Sequence, residues 1–178
     1  MAPDSSQRKR CVPPVVDAAT RVLILGSLPG ETSLAARQYY AHPRNQFWPL
    51  LGSLLQRDLP ALPYAQRLDC LLQHGIGLWD VIAQAQRRGS LDTAIRASQA
   101  NDLLPLLARL PQLALVAFNG QTAGKQAAAL AACGSATLIL PSSSPAFTLP
   151  FASKQAAWQR LAPYIQLPAT CKSAADQA

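Results

Sequence analysis

Between Tyr39 and Trp48 the chain gathers seven side chains able to stack, donate or accept: Tyr39, Tyr40, His42, Arg44, Asn45, Phe47 and Trp48. This cluster follows a short apolar run, Val22 to Leu25, and a turn carrying Gly26, Pro29 and Gly30. Glycine and proline at that spacing turn the backbone tightly and let a ligand approach it closely. Two further apolar runs end the same way, in Asn119-Gly120 and in Pro141-Ser142-Ser143-Ser144-Pro145. If all three runs are parallel strands, their loops meet along one sheet edge, beyond the carboxyl ends, where open α/β sheets bind ligands.

Several familiar chemistries fail on spacing. GSLPG (26–30) has no lysine after its second glycine. In GQTAGKQ (120–126) the glycines stand one residue too close, and Gln126 takes the place of the magnesium-binding Ser or Thr. No G-x-S-x-G elbow occurs, and neither His42 nor His74 is spaced to serve a serine nucleophile. Glu31 is the one acid near the three loops, which disfavours a two-carboxylate glycosidase. Cys11, Cys70, Cys133 and Cys171 form no C-x-x-C pair and the chain has two histidines, a poor set for zinc or an iron–sulfur cluster. Reduced, structural thiols are expected.

With 178 residues, 49% of them hydrophobic, the chain is long enough for one domain with a sizeable core. Sixteen Lys and Arg against nine Asp and Glu give a net charge of +7, spread along the sequence apart from Arg8-Lys9-Arg10. A polyanionic partner is the first expectation. No apolar run reaches membrane-spanning length, and MAPDSSQRKR has no apolar signal core. A cytoplasmic protein that is monomeric and not bound to membrane is expected.

The elements that must hold these loops read as follows. Residues 1–18 are a flexible basic arm, 19–167 a single domain and 168–178 a flexible tail. Val22–Leu25, 113–120 and 136–141 read as strands, and 75–82, apolar but for Asp80, as a short buried strand or turn. Asn45 stands at an N-cap position before a helix with the stripe Phe47, Trp48, Leu50, Leu51, Leu54 and Leu55. Further helices are expected over 64–74, 99–110, 121–132 and 153–165, with a helical turn starting at Ser90 or Asp92. Short apolar strands alternating with helices predict a parallel sheet covered on both faces.

Taken together and in order, ILGSLPGETSL, YYAHPRNQFW, GIGLWDVI, RRGSLDTAI, AFNG and LPSSSPAF resemble the uracil-DNA glycosylase superfamily, over roughly residues 20–165. The likeness is greatest to its hypoxanthine-DNA (deoxyinosine) glycosylase branch, related to the mismatch-specific uracil-DNA glycosylases. It implies a three-layer α/β/α sandwich on a short central parallel sheet. It implies hydrolysis, without metal or cofactor, of the bond joining a deaminated base to deoxyribose after the nucleotide is flipped out of DNA. In the mismatch-specific relatives an asparagine in the first motif positions the attacking water; here Leu28 stands in its place. In the hypoxanthine branch the asparagine of H-P-x-N-x-F-W takes that role, and Asn45 matches it. The resemblance assigns Gly26, Ser27, Leu28, Pro29, Tyr40 and Asn119 to the base, with Tyr40 stacking on it. It assigns His42, Arg44, Ser142, Ser143, Ser144, Pro145 and Phe147 to DNA, the serines on phosphates and Phe147, or else Leu149, as an apolar wedge. The three loops hold no lysine for a Schiff base, so a monofunctional enzyme is expected. A DNA-damage binding module without catalysis and a nucleoside hydrolase remain the alternatives.

Overall fold

The computed structural model describes residues 8–166. In chain order its strands are β1 (Arg8–Arg10), β2 (Val22–Gly26), β3 (Ile76–Asp80), β4 (Ile82–Gln86), β5 (Arg96–Ala100), β6 (Leu115–Asn119) and β7 (Thr137–Leu140). Its helices are α1 (Glu31–Ala36), α2 (Phe47–Leu55), α3 (Tyr64–Gln73), α4 (Leu103–Leu107), α5 (Gln121–Gly124), α6 (Ala127–Ala132) and α7 (Phe151–Trp158).

β2 is the centre of the molecule. It pairs in parallel with β3 on one side and β6 on the other, and β7 closes the order β3-β2-β6-β7. A strand buried on both faces has no polar side, which is why VLIL is apolar without alternation. Val22, Leu23, Ile24 and Leu25 are all fully buried, each burial contributing about 1.5–3 kcal/mol. Successive side chains point to opposite faces. Val22 and Ile24 join Phe47, Leu50, Leu51, Leu71, Trp158 and Leu161 on the α2–α3–α7 side. Leu23 and Leu25 join Val81, Ile82, Leu103, Leu106, Phe118 and Leu130 on the other. The result is the three-layer α/β/α sandwich.

The outer layer also carries an antiparallel sheet, in the order β1-β4-β5, that the sequence does not announce. Residues 8–18 are therefore not a free arm: Arg8–Arg10 pairs with β4, and Val15 bridges to Leu78. The rest of the expected arm and the tail, 1–7 and 167–178, lie outside the described residues. The helix expected over 99–110 is shorter, Leu103–Leu107, because β5 occupies the chain up to Ala100. The helix expected over 121–132 is two, α5 and α6. The last helix starts at Phe151, earlier than expected, and passes at Gln159 into a 3₁₀ segment containing Pro163.

Candidate active site

Three strand exits converge as the alternation of elements requires. The turn after β2, the end of β6 and the loop after β7 line one cavity of about 410 Å³, together with Tyr39, Tyr40, His42 and Asn45, Asp80 at the end of β3 and the loop 90–93. That volume lies in the range of small-molecule sites, roughly 300–1,000 Å³.

The turn 26–30 is held from outside by a residue the motif reading overlooked. Arg87 is 2% exposed, and its guanidinium donates to the carbonyls of Leu28 (3.0 Å), Pro29 and Gly89. Ser27 donates its hydroxyl to Asp92 Oδ1 at 2.7 Å, and the Glu31 N–H donates to Ser90 Oγ at 2.9 Å. The loop between β4 and β5 is thus a clamp on the glycine turn. Lys9 of β1 ties this clamp down by donating to Glu31 (2.8 Å) and to the Gly89 carbonyl (2.9 Å).

HPRN (42–45) is a turn closed by the Asn45 N–H donating to the His42 carbonyl at 2.9 Å. His42 Nδ1 accepts the Arg44 N–H at 3.1 Å, and Arg44 itself is exposed. Asn45 is not the N-cap: α2 starts at Phe47 with Gln46 before it. The Asn45 side chain still does capping work, because the Phe47 N–H donates to its Oδ1 at 2.9 Å. That bond fixes which end of the amide is oxygen. One lone pair of Oδ1 and both protons of Nδ2 remain for a ligand, and Asn45 lines the cavity. The Gln46 N–H donates to the Ser143 carbonyl at 2.9 Å, joining this turn to the serine loop.

Tyr40 and Tyr39 part company. Tyr39 is 2% exposed and donates to the carbonyls of Val12 and Pro13, so it belongs to the core. Tyr40 adopts a left-handed backbone (φ 53°) and stacks flat on Phe47, with ring centroids 3.7 Å apart. Phe47 is braced edge-on by Trp48 and Trp158. Tyr40 also lines the cavity, and its hydroxyl has no protein partner. Burial first, then the neighbouring Asp80, holds its phenol protonated well beyond the ordinary range.

Asp80 is the single acid of the apolar stretch 75–82. It is 3% exposed, it lines the cavity, and its Oδ2 has no partner. Burial and the nearby Asp92 push its carboxyl up to about 8, against the pull of Arg87. Gly26 makes room for it: a Cβ there would stand 2.7 Å from Asp80 Oδ1 and 3.1 Å from the Tyr40 hydroxyl.

The β6 and β7 exits are locked to each other. Asn119 Nδ2 donates to Ser143 Oγ and the Ser143 N–H donates to Asn119 Oδ1, both at 2.8 Å. Gly120 (φ +98°) permits the close pass, since a Cβ would meet Ser142 Cβ at 3.0 Å. Two expectations change here. Ser143 is fully buried, its N–H donating to Asn119 and its hydroxyl oxygen accepting from it, so it braces the loop and does not face a phosphate. Asn119 keeps only its second Nδ2 proton and the remaining lone pair of Oδ1 for a base. Ser142 and Ser144 are partly exposed, and their hydroxyl oxygens accept the N–H groups of Ser144 and Ala146, both at 3.2 Å. Pro145 to Pro150 are exposed, with Phe147 at 44%. Lys154, 1% exposed on α7, donates to the Phe147 carbonyl (2.7 Å) and the Ser144 carbonyl (3.4 Å), fixing the base of this projecting loop. Nothing in the motif pattern pointed to Lys154; its role follows from tertiary packing alone.

The comparisons with known proteins agree with this architecture. The model of the uracil DNA glycosylase superfamily matches residues 13–163. A hypoxanthine DNA glycosylase of Methanosarcina barkeri is 44% identical over 151 residues, spanning 85% of this chain and 96% of that protein. One of Methanosarcina acetivorans is 39% identical over the same shares. A solution NMR structure from Methanosarcina acetivorans, of a protein assigned as a uracil DNA glycosylase, superposes with a TM-score of 0.79 at 38% identity, covering 87% of this chain and 96% of that one. With its fold, its converging strand exits and relatives matched over nearly their whole length, this chain belongs to the uracil DNA glycosylase superfamily.

Proposed function

We propose that this protein is a DNA repair glycosylase that flips a deaminated base, hypoxanthine foremost, out of DNA and hydrolyses its bond to deoxyribose. The observation that carries the reading is the meeting of the Asn45 amide, the 26–30 turn and the serine loop at one cavity. The names of its relatives give hypoxanthine as the base to try first.

In this reading the flipped base lies against the free face of Tyr40, whose other face rests on Phe47. Stacking of that kind is worth about 1–3 kcal/mol. The free lone pair of Asn45 Oδ1 accepts a hydrogen bond from a water molecule and turns its oxygen toward C1′. The Phe47 N–H holds the amide still while it does so. One preorganised polar group of this sort supplies roughly 3–4 kcal/mol of barrier lowering. Water is the nucleophile, so the step calls on no cofactor. The hydroxyls of Ser142 and Ser144 and the guanidinium of Arg44 meet phosphates, and Phe147 fills the gap left in the base stack. We place the activity in the cytoplasm, in a monomer. Among the described residues no helix is long and apolar enough to cross a membrane.

The test is strand scission by alkali after incubation with duplexes holding a single deoxyinosine or deoxyuridine. Abasic product from deoxyinosine is expected. Binding without product would favour a damage-recognition module, and cleavage of free deoxyinosine but not of the duplex would favour a nucleoside hydrolase.

A further inference from the structure

The water-directing step leaves the carboxyl group on the cavity floor unused. Asp80 is the register partner of Gly26 across the parallel β2–β3 pair, so its side chain reaches the root of the glycine turn. It is 3% exposed, and its Oδ2 has no protein partner. The Tyr40 hydroxyl, buried and equally unpartnered, approaches the same point above Gly26. A buried polar atom without a partner costs about 1–3 kcal/mol, and a buried charge far more. Two buried, unpartnered oxygens on residues that line one cavity therefore point to a ligand that supplies acceptors.

The ionisable groups around Asp80 decide its form. Asp92 in the β4–β5 loop, Cys11 just after β1, and Tyr39 and Tyr40 between α1 and α2 all feel its charge. Arg87 is the cation among them, and its guanidinium is committed to the carbonyls of Leu28, Pro29 and Gly89, with Asp92 4.0 Å away. Burial and Asp92 outweigh Arg87, so at neutral pH Asp80 carries a proton.

We infer that Asp80 is a second catalytic residue: its carboxyl O–H faces the N7–O6 edge of a flipped deaminated purine and delivers its proton to N7 as the C1′–N9 bond breaks. This rests on the glycosylase reading above. That edge of an oxopurine offers two acceptors side by side. The C1′–N9 electron pair leaves with the base, and the proton on N7 makes the departing base neutral. Water bonds to C1′ and releases a proton to solvent, and one proton from solvent restores the Asp80 acid. Uracil has no N7 and draws nothing from this step, so Asp80 tilts the site toward purines.

Single-turnover cleavage of duplexes bearing deoxyinosine, 7-deaza-deoxyinosine or deoxyuridine, over a range of pH, tests the inference with the full chain and its Asp80→Asn variant. With deoxyinosine the wild-type rate should fall as pH rises through about 8, where the acid loses its proton. Asp80→Asn should be slower on deoxyinosine by about 100-fold, in the range of general acids. It should also lose the alkaline fall, and its loss on deoxyuridine should be smaller than its loss on deoxyinosine. The 7-deaza substrate should impose the same loss on the unmodified protein, which keeps the test valid even if Asp80→Asn does not fold. A deoxyinosine profile that is flat to high pH, or 7-deaza-deoxyinosine cleaved as fast as deoxyinosine, overturns the role of Asp80 and leaves the glycosylase reading intact. No cleavage of any duplex by the wild type overturns both.

Discussion

Asn45 serves two masters, and a pair of substitutions separates them. Its Oδ1 holds the first N–H of α2 and, in the mechanism above, the attacking water. Asn45→Ala should lower the single-turnover rate on deoxyinosine about 100-fold and cost the protein about 1 kcal/mol as a lost cap. Asn45→Ser keeps a short acceptor for the Phe47 N–H but cannot reach the cavity, so it should melt like the wild type and be as slow as the alanine variant. A serine variant with wild-type turnover would take Asn45 out of the chemistry. At this scale the sequence spoke clearly where polar groups were dense, as in YYAHPRNQFW. It was silent where one polar group stood among apolar ones. Asp80 in GIGLWDVI looks like any acid at a strand end, because its burial is made by parts of the chain distant in sequence, Gly26 of β2 and Tyr40 among them.

The parallel strands β2, β3 and β6 were legible because burial on both faces leaves an apolar run. The β1-β4-β5 sheet was not, for the opposite reason. Its strands read RKR, IAQAQ and RASQA, and β5 is exposed along its whole length, so no periodicity betrays it. Yet this sheet carries the clamp on the glycine turn. Arg87→Ala would leave the Leu28 and Pro29 carbonyls without their donor inside the protein, a loss of roughly 3 kcal/mol by the cost of breaking buried charged contacts. The urea midpoint should fall accordingly, and KM for a deoxyinosine duplex should rise as the turn loosens. Arg87→Lys carries a single ammonium where a planar fork met three carbonyls, and should recover only part of the loss. Equal stability in all three proteins would show that the turn holds its shape unaided.

For the whole molecule, the excess of positive charge matters through how little of it is neutralised internally. Among the described residues the acid–base pairs within 4.0 Å are Lys9 with Glu31 and Arg87 with Asp92. Arg44 and Arg88 are exposed beside residues that line the cavity, and their charges are free to meet phosphates. Binding to duplex DNA should therefore weaken steeply with salt. For a footprint of roughly four phosphates the slope of log K against log salt is about −3.6. Arg44→Ala should make that slope shallower by about 1 and weaken binding alike on lesion-bearing and undamaged duplexes, the mark of a phosphate contact that positions without reading the base. Phe147 is exposed and lines the cavity; as a wedge it enters the stack only once a base has left it, so Phe147→Ala should leave the salt slope alone and weaken lesion-bearing duplexes selectively. Titrations at several salt concentrations with both variants tell the two contacts apart. If Arg44→Ala kept the full slope while discriminating between duplexes, Arg44 would be reading the lesion, and the division between a charged rim that positions and an apolar tip that fills the stack would have to be redrawn.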